Sequence, residues 1–526
     1  MSRLLLTVIL SVVSLFSALA QNYGYFSGSL ESTSHYYLSD DNLNIPKPDN
    51  PVASNNYLRL QYTNGPFSSA LQYEAYMPPL TGYPYQLEGN AVTFLNFNYT
   101  KEMIGVTAGS FYDQFGSGLS FRAYESRELG INNAVNGLRV VFKPFDFLKI
   151  KGIYGRPREY LGISSSYIRG ADMEIDLAEI LNTGFEVKTG GGIISRYQSY
   201  TGPADNFPSN VNAYNARLSA DYKNFSLETE YVYKSDDPSL TNNYSYDKGD
   251  ALLFNGNYTS GGFGLFASAR FLKFMDFRSD RESEGNYAMV NYLPANTWQH
   301  SYMLGNIYPY STQSEGESSI QAEINYSAQK GTFVGGEYGT KFRLGFSHVR
   351  NLNLDENNSP MLLSFGDQVY YQDLSLEVTR KWNPSVKTIT TLTGLQYNKS
   401  VIEYPGADFV KAFLINLESQ FRISGSTSLR VELQHLWTKQ DDGNWAAALA
   451  EFGFSPGLSI FISDMWDYQN EDNRAHYINS GVSYSKDYLR LSAGYGRYRE
   501  GLICAGGVCQ RVPAYRGFNL RFTMNF

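Results

Sequence analysis

The sequence predicts an all-β protein, a transmembrane antiparallel barrel of about 24 strands (roughly 22 to 26) with both termini on the periplasmic side. Three observations predict it. Apolar and polar residues alternate with period two along the chain, connections alternate long and short without slipping, and the last alternating strand ends on an aromatic residue, Phe526. Composition excludes the rivals. A polytopic helical protein of 526 residues would show several apolar runs of about 18 or more residues, and the only comparable run here is at the N-terminus. Disorder is excluded by 15% aromatic and 42% hydrophobic residues, far more than a solvated chain carries.

At the N-terminus, Arg3 gives a positive start, Leu4 to Phe16 an apolar stretch, and Ala18-Leu19-Ala20 a small-x-small site. This reads as a signal peptide over 1–20, cleaved between Ala20 and Gln21, with 21–526 as a single barrel domain. A membrane anchor is the other reading, disfavoured by the short run and the polar residues that follow it. No Cys follows the cleavage site, so a lipoprotein is not expected. The formal net charge is -8 and the pI about 5.4; an acidic exported chain is a poor partner for nucleic acid.

Alternation is clearest at the C-terminus. Phe518, Leu520, Phe522, Met524 and Phe526 interleave with Asn519, Arg521, Thr523 and Asn525. Phe413, Ile415, Leu417 and Phe421 interleave with Asn416, Glu418 and Gln420, and Leu429, Val431 and Leu433 with Arg430, Glu432 and Gln434. One face of each strand is therefore apolar. In a soluble sandwich that face would pack on a second sheet; in an outer-membrane barrel it meets lipid and the polar face lines the lumen. The polar face decides for the barrel, because it carries Arg, Glu, Gln and Asn with interleaved Gly, as at Arg490, Ser492, Gly494 and Gly496. Tyr231, Tyr233, Tyr397, Tyr484, Tyr488 and Tyr498 sit near strand ends, where aromatic girdles would lie.

With a first strand at 22–38 running outward, long connections fall at 39–55, 77–89, 113–135, 156–167, 199–211, 234–250 and 276–316. Short ones fall at 64–67, 100–103, 143–147, 181–183, 223–224, 259–262, 329–331, 381–384, 424–427, 455–457 and 486–487. Two places could disturb the count. Segment 276–316 could hold an extra hairpin around Trp298 to Tyr308, and 171–181 could be a short helix. Segment 276–316 reads equally as plug, lid or adhesive loop.

Cys504 and Cys509, in the last outer loop, read as a disulfide in an oxidising envelope; no metal site is expected, since no further Cys or His stands near. Segment 110–139 combines Gly116, Gly118 and Gly130 with Asp113, Gln114, Arg122, Tyr124, Glu125, Arg127 and Glu128. Such a loop either folds inward as a constriction that sorts solutes by size and charge, or stays a solvated surface loop with locally paired charges. Asp40-Asp41, Asp236-Asp237 and Asp441-Asp442 suit Ca2+ or, more simply, turns. His300, Ser301 and Asp276 are the least unfavourable hydrolase combination among five His, and HExxH, CxxC and GxSxG motifs are absent. No enzyme and no cofactor are expected.

The stretch 111–125 (FYDQFGSGLSFRAYE), with Leu129 to Asn133 and Lys151 to Arg156, resembles an uncharacterised family of outer-membrane barrels from Bacteroidota. The resemblance implies location and fold and supplies no catalytic residue. Unlike TonB-dependent receptors, the chain has no plug domain before its first strand. The expected protein is thus a passive channel or small-molecule transporter for an unknown solute, with a non-conducting scaffold for secretion or surface-polysaccharide machinery as the alternative and a hydrolase as a distant third. Its expected partners are outer-membrane lipids and lipopolysaccharide, envelope proteins, and the barrel-insertion machinery that reads a terminal aromatic such as Phe526.

Overall fold

The computed structural model describes residues 24–46, 48–181, 184–199, 207–470 and 474–526; the expected signal peptide over 1–20 and its Ala20–Gln21 cleavage site lie outside them. Consecutive strands pair antiparallel in a simple meander, and the first, Tyr25–Leu38, pairs both with Val52–Asn64 and with the last, Tyr515–Asn525. The result is a closed barrel of 24 strands, and closure leaves no unpaired edge. Barrel strands run from 8 residues, as in Ile104–Phe111, to 15 in Val369–Asn383.

The pairing registers fix which face is which. Leu417 stands opposite Leu433, and Glu418 opposite Glu432; Leu417 and Leu433 are 40% and 53% exposed, whereas Glu418 and Glu432 are buried. Apolar residues therefore cover the outside and polar ones the lumen, the arrangement of a barrel immersed in lipid. Aromatic girdles ring both ends. Phe67–Tyr99, Phe185–Tyr222 and Tyr258–Phe263 pair at the turn end; Tyr154–Tyr167, Tyr214–Tyr233 and Phe413–Trp437 pair at the loop end. Tyr231, Tyr484 and Tyr488 are exposed near strand ends. Tyr397 and Tyr498 depart from the sequence reading. Tyr397 is fully buried against Tyr308 and Tyr371, and Tyr498 stacks inside on Tyr515 at 4.4 Å. Leu417→Arg puts a guanidinium at the middle of the apolar band, and should cost about 2–4 kcal/mol in refolding into lipid vesicles.

At the turn end most connections are tight, as at Gly65 and at Lys223-Asn224. Two are longer than a hairpin turn. The strand Tyr167–Asp176 is followed by a helix, Leu177–Leu181, begun where the Asp176 carboxylate accepts the Ala178 N–H at 3.0 Å, so the ambiguous segment is strand first and helix second. The turn expected at 329–331 extends over 329–339, because Gly331, Gly336 and Gly339 all adopt positive φ and coil the chain.

The two largest of the four hydrophobic clusters lie inside the barrel, towards the loop end. One joins Phe115, Leu119 and Phe121 to lumen-facing Ile153, Ile168, Ile194, Val211 and Val232. The other joins Leu304, Ile307, Tyr308 and Tyr310 to Val349, Tyr371, Tyr397, Val410 and Leu436. In both, a connection from the loop end has folded back into the lumen and covers apolar wall.

Candidate functional site

Two inward connections and a clasp gather at the loop end. Loop 112–134 makes two short pairings, Gln114–Phe115 with Phe121–Arg122 and Glu125–Ser126 with Ile131–Asn132. Its tip needs glycine. A Cβ on Gly116, at φ 53°, would stand 2.5 Å from the Glu230 carboxylate, which accepts the Ser117 N–H at 2.6 Å.

Of the seven residues singled out in this loop, Asp113, Glu125 and Arg127 are paired with the wall. Asp113 accepts from Arg139 at 2.5 Å and Lys151 at 2.9 Å. Burial opposes its ionisation, but Lys151 and Arg139 outweigh that and hold its carboxyl below the ordinary range. The Gln114 side chain donates to the Gly116 carbonyl at 2.7 Å. Glu125 accepts from Gln72 at 2.7 Å, and Arg127 pairs with Glu31 at 2.7 Å and lies over Tyr57. Arg122 packs on Tyr292 at 4.0 Å and Tyr124 at 5.0 Å. Among the described residues Arg122 has no carboxylate within salt-bridge range, and exposed Glu128 has no cation. Acidic and basic groups therefore do not face each other across a gap as a constriction would have them; neutralisation at the wall has taken most of them.

Segment 274–315 is a strap along the inner wall. Met275, Phe277, Val290 and Leu293 join the first cluster. Trp298 donates its backbone N–H to Ser347 at 2.8 Å, His300 meets Asp373 at 3.0 Å, Tyr302 meets Glu418 at 3.3 Å, and the Leu304 N–H reaches Gln434 at 3.0 Å. The chain then returns, with Tyr310 donating to Glu317 at 2.6 Å. The only regular structure between Trp298 and Tyr308 is a short 3-10 turn, Gly305–Ile307, so the extra hairpin is not formed. The hydrolase combination is not assembled either, since His300 is engaged by Asp373 and Asp276 by Arg278 at 2.7 Å. The paired aspartates are likewise occupied: Asp40 by Arg497, Asp237 by Arg196 and Lys234, Asp441 by Lys399. Among the described residues no group of three His, Cys, Asp or Glu could hold a metal ion.

The clasp is the hairpin Gly501–Ala505 with Val508–Val512, in which Cys504 and Cys509 are joined. It lies on the strap. Ala295 donates to the Gly507 carbonyl at 2.7 Å, Tyr292 to Gly506 at 2.6 Å, and Asn286 to Cys509 at 2.9 Å.

Sequence reasoning left the strap undecided, although a signal was present. Met275, Phe277, Met289, Val290, Leu293, Trp298, Leu304 and Ile307 are too apolar for a connection bathed in water. Where the strap ends, burial and the neighbouring Asp276 push the Glu315 carboxyl up to about 7. The groups facing it are Asp276, Asp237, Lys234 and Arg278. A carboxyl raised in the closed state favours that state when protonated. Its contribution is complete below its ordinary value of 4.5 and is lost as pH rises through about 7. Protease resistance of the strap should therefore fall between mildly acidic and mildly alkaline pH, and Glu315→Gln should flatten that dependence.

A closed barrel with a lipid-facing apolar exterior and connections folded into its lumen is a membrane β-barrel of the outer-membrane type. Within that class the chain belongs to a family of unknown function, DUF6029, which it matches over residues 1–526. No curated protein matches it. Among solved structures it is similar to the P pilus usher (PapC) translocation pore, with TM-score 0.46 and 10% identity over 95% of this chain and 99% of that one. It is similar to the siderophore receptor PirA from Pseudomonas aeruginosa, at 0.40 and 10% over 96% and 81%. The outer membrane protein opdK from the same organism gives 0.38 and 9% over 96% and 100%. At such identities the likeness is one of barrel fold alone.

Proposed function

We propose that this protein is an outer-membrane channel for small polar solutes, closed at its outer mouth by loop 112–134 and strap 274–315. The observation that carries this reading is the change in the lumen wall along its height. Under the inward segments the wall is apolar and covered, whereas towards the turn end Glu174, Lys188, Arg343 and Arg430 point inward and stay 38 to 45% exposed. A wet, mixed-charge vestibule below a removable closure suits passage; an inert scaffold needs no such lining. In this reading both termini and the tight turns face the periplasm, a cleaved leader exports the chain, and Phe526 is the mark read by the insertion machinery. Arg122 and Glu128, charges of the inward loop without an opposite partner, are the candidate selectors. Asp113, Gln114, Tyr124, Glu125 and Arg127 hold that loop in place.

The test is single-channel conductance in planar bilayers. The intact protein should be nearly silent, and replacing 274–315 by a short Gly/Ser turn should raise conductance at least tenfold, with ion preference altered by Arg122→Glu. A strapless barrel that is folded, by heat-dependent migration on gels, yet conducts nothing would overturn the channel and favour the scaffold.

A further inference from the structure

Where loop, strap and clasp meet they enclose a cavity with about 120 Å³ open to the centres of water molecules. Tyr124 comes from the loop, Asn286, Asn291 and Tyr292 from the strap, Ser311 and Ser314 from its returning end, and Gly507 from the clasp. The volume is well above the roughly 10–15 Å³ that admits one water, and the space takes several waters or one molecule of about monosaccharide size.

Its wall states a chemistry. Asn291 is 1% exposed; its amide nitrogen donates to the carbonyls of Met275 at 2.8 Å and Leu119 at 3.3 Å, while its oxygen is buried without a partner. A buried acceptor left unmade costs about 1–3 kcal/mol in a folded protein, so a donor supplied from the cavity is the natural completion. The hydroxyls of Ser311 and Ser314 also have no protein partner among the described residues. The rings of Tyr124 and Tyr292, 5.2 Å apart and edge to face, give an apolar side on which aliphatic C–H groups can rest. The charges at the wall cancel, because both Asp276 oxygens are held by Arg278, at 2.7 and 3.0 Å. Arg122, whose guanidinium lies over Tyr124 and Tyr292, is not part of the lining, so a charged ligand would find no counterion in the cavity wall itself and would lose its hydration.

We infer that this cavity is a binding site for a small, uncharged, hydroxyl-rich molecule of about monosaccharide size, which donates to the Asn291 amide oxygen and rests on Tyr124 and Tyr292. Binding at this site stands apart from conduction, so it can hold whether or not the barrel proves to be a channel.

The experiment is saturation-transfer NMR on the full chain in detergent micelles, with D-glucose, N-acetylglucosamine and myo-inositol as probes and inorganic phosphate as the charged control. At least one neutral probe should bind saturably and phosphate should not. Ser311→Leu, which fills the cavity without removing a side-chain hydrogen bond, should weaken that binding at least tenfold while the barrel keeps its heat-dependent gel migration. Asn291→Leu should do the same, and Ser311→Ala should restore binding. Absence of saturable binding by all three neutral probes, preference for phosphate, or binding indifferent to Ser311→Leu would each overturn the inference.

Discussion

Glu74→Ala should destabilise the folded barrel by about 3–5 kcal/mol, because it leaves a guanidinium buried without its counterion. Glu74 is 1% and Arg158 5% exposed, and the two guanidinium nitrogens of Arg158 meet the two carboxylate oxygens, each at 2.6 Å. The same carboxylate accepts from Gln72, Thr93 and Tyr76 at 2.7 to 2.8 Å. Removing it therefore strands one buried charge and three neutral donors. Geometry of this kind says little about net worth, since replacing both partners by apolar groups of similar volume is often neutral. The discriminating measurement is a double-mutant comparison by denaturant unfolding in micelles. Glu74→Met alone should cost nearly as much as Glu74→Ala, and Glu74→Met with Arg158→Met should recover most of it. Equal losses in the single and double variants would show that the pair acts through packing rather than charge. The loss should also reach loop 112–134, because Gln72 bridges Glu74 and Glu125.

The barrel itself was legible because lipid on one side and water on the other impose a strict period of two, and a one-residue slip would turn every side chain to the wrong face. Leu417 beside Glu418 says this locally, and loop-length parity carries it around the ring. What was not legible is interior that is not wet. Ile168, Ile194, Val211 and Val232 face the lumen, yet in one strand an apolar lumen residue cannot be told from an apolar lipid residue until the segment covering it is known. Tyr397 and Tyr498 were placed at the wrong face for the same reason. The ionisable residues of loop 112–134 could be named, but their partners are distant in sequence. Asp113 finds Arg139 and Lys151, and Arg127 finds Glu31; only the closed ring brings such pairs together. The tyrosine and asparagine wall of the strap cavity left no pattern, being assembled from connections with no periodicity.

Gly345→Leu should release the strap while leaving the barrel closed. A Cβ built on Gly345 would lie 1.8 Å from the Trp298 ring, so the indole occupies the place of a side chain. Arg343 covers it at 4.0 Å, and its backbone N–H is held by Ser347. Gly345 is not at positive φ, so leucine suits the strand's own backbone and the whole conflict falls on Trp298. Expelling an indole that is 7% exposed forfeits burial of the order of 3–5 kcal/mol, which exceeds what the adjoining His300–Asp373 and Tyr302–Glu418 contacts can hold. The variant should show red-shifted tryptophan fluorescence and chymotrypsin cleavage at Trp298 or Tyr302, while heat-dependent migration stays that of a folded barrel. Trp298→Ala should open the same segment, and adding it to Gly345→Leu should cost little more, because both changes remove one contact. A Gly345→Leu protein as protease-resistant as the parent would mean that the strap is anchored elsewhere, at the Arg278–Asp276 and Arg196–Asp237 end, and that the tryptophan seat is incidental to closure.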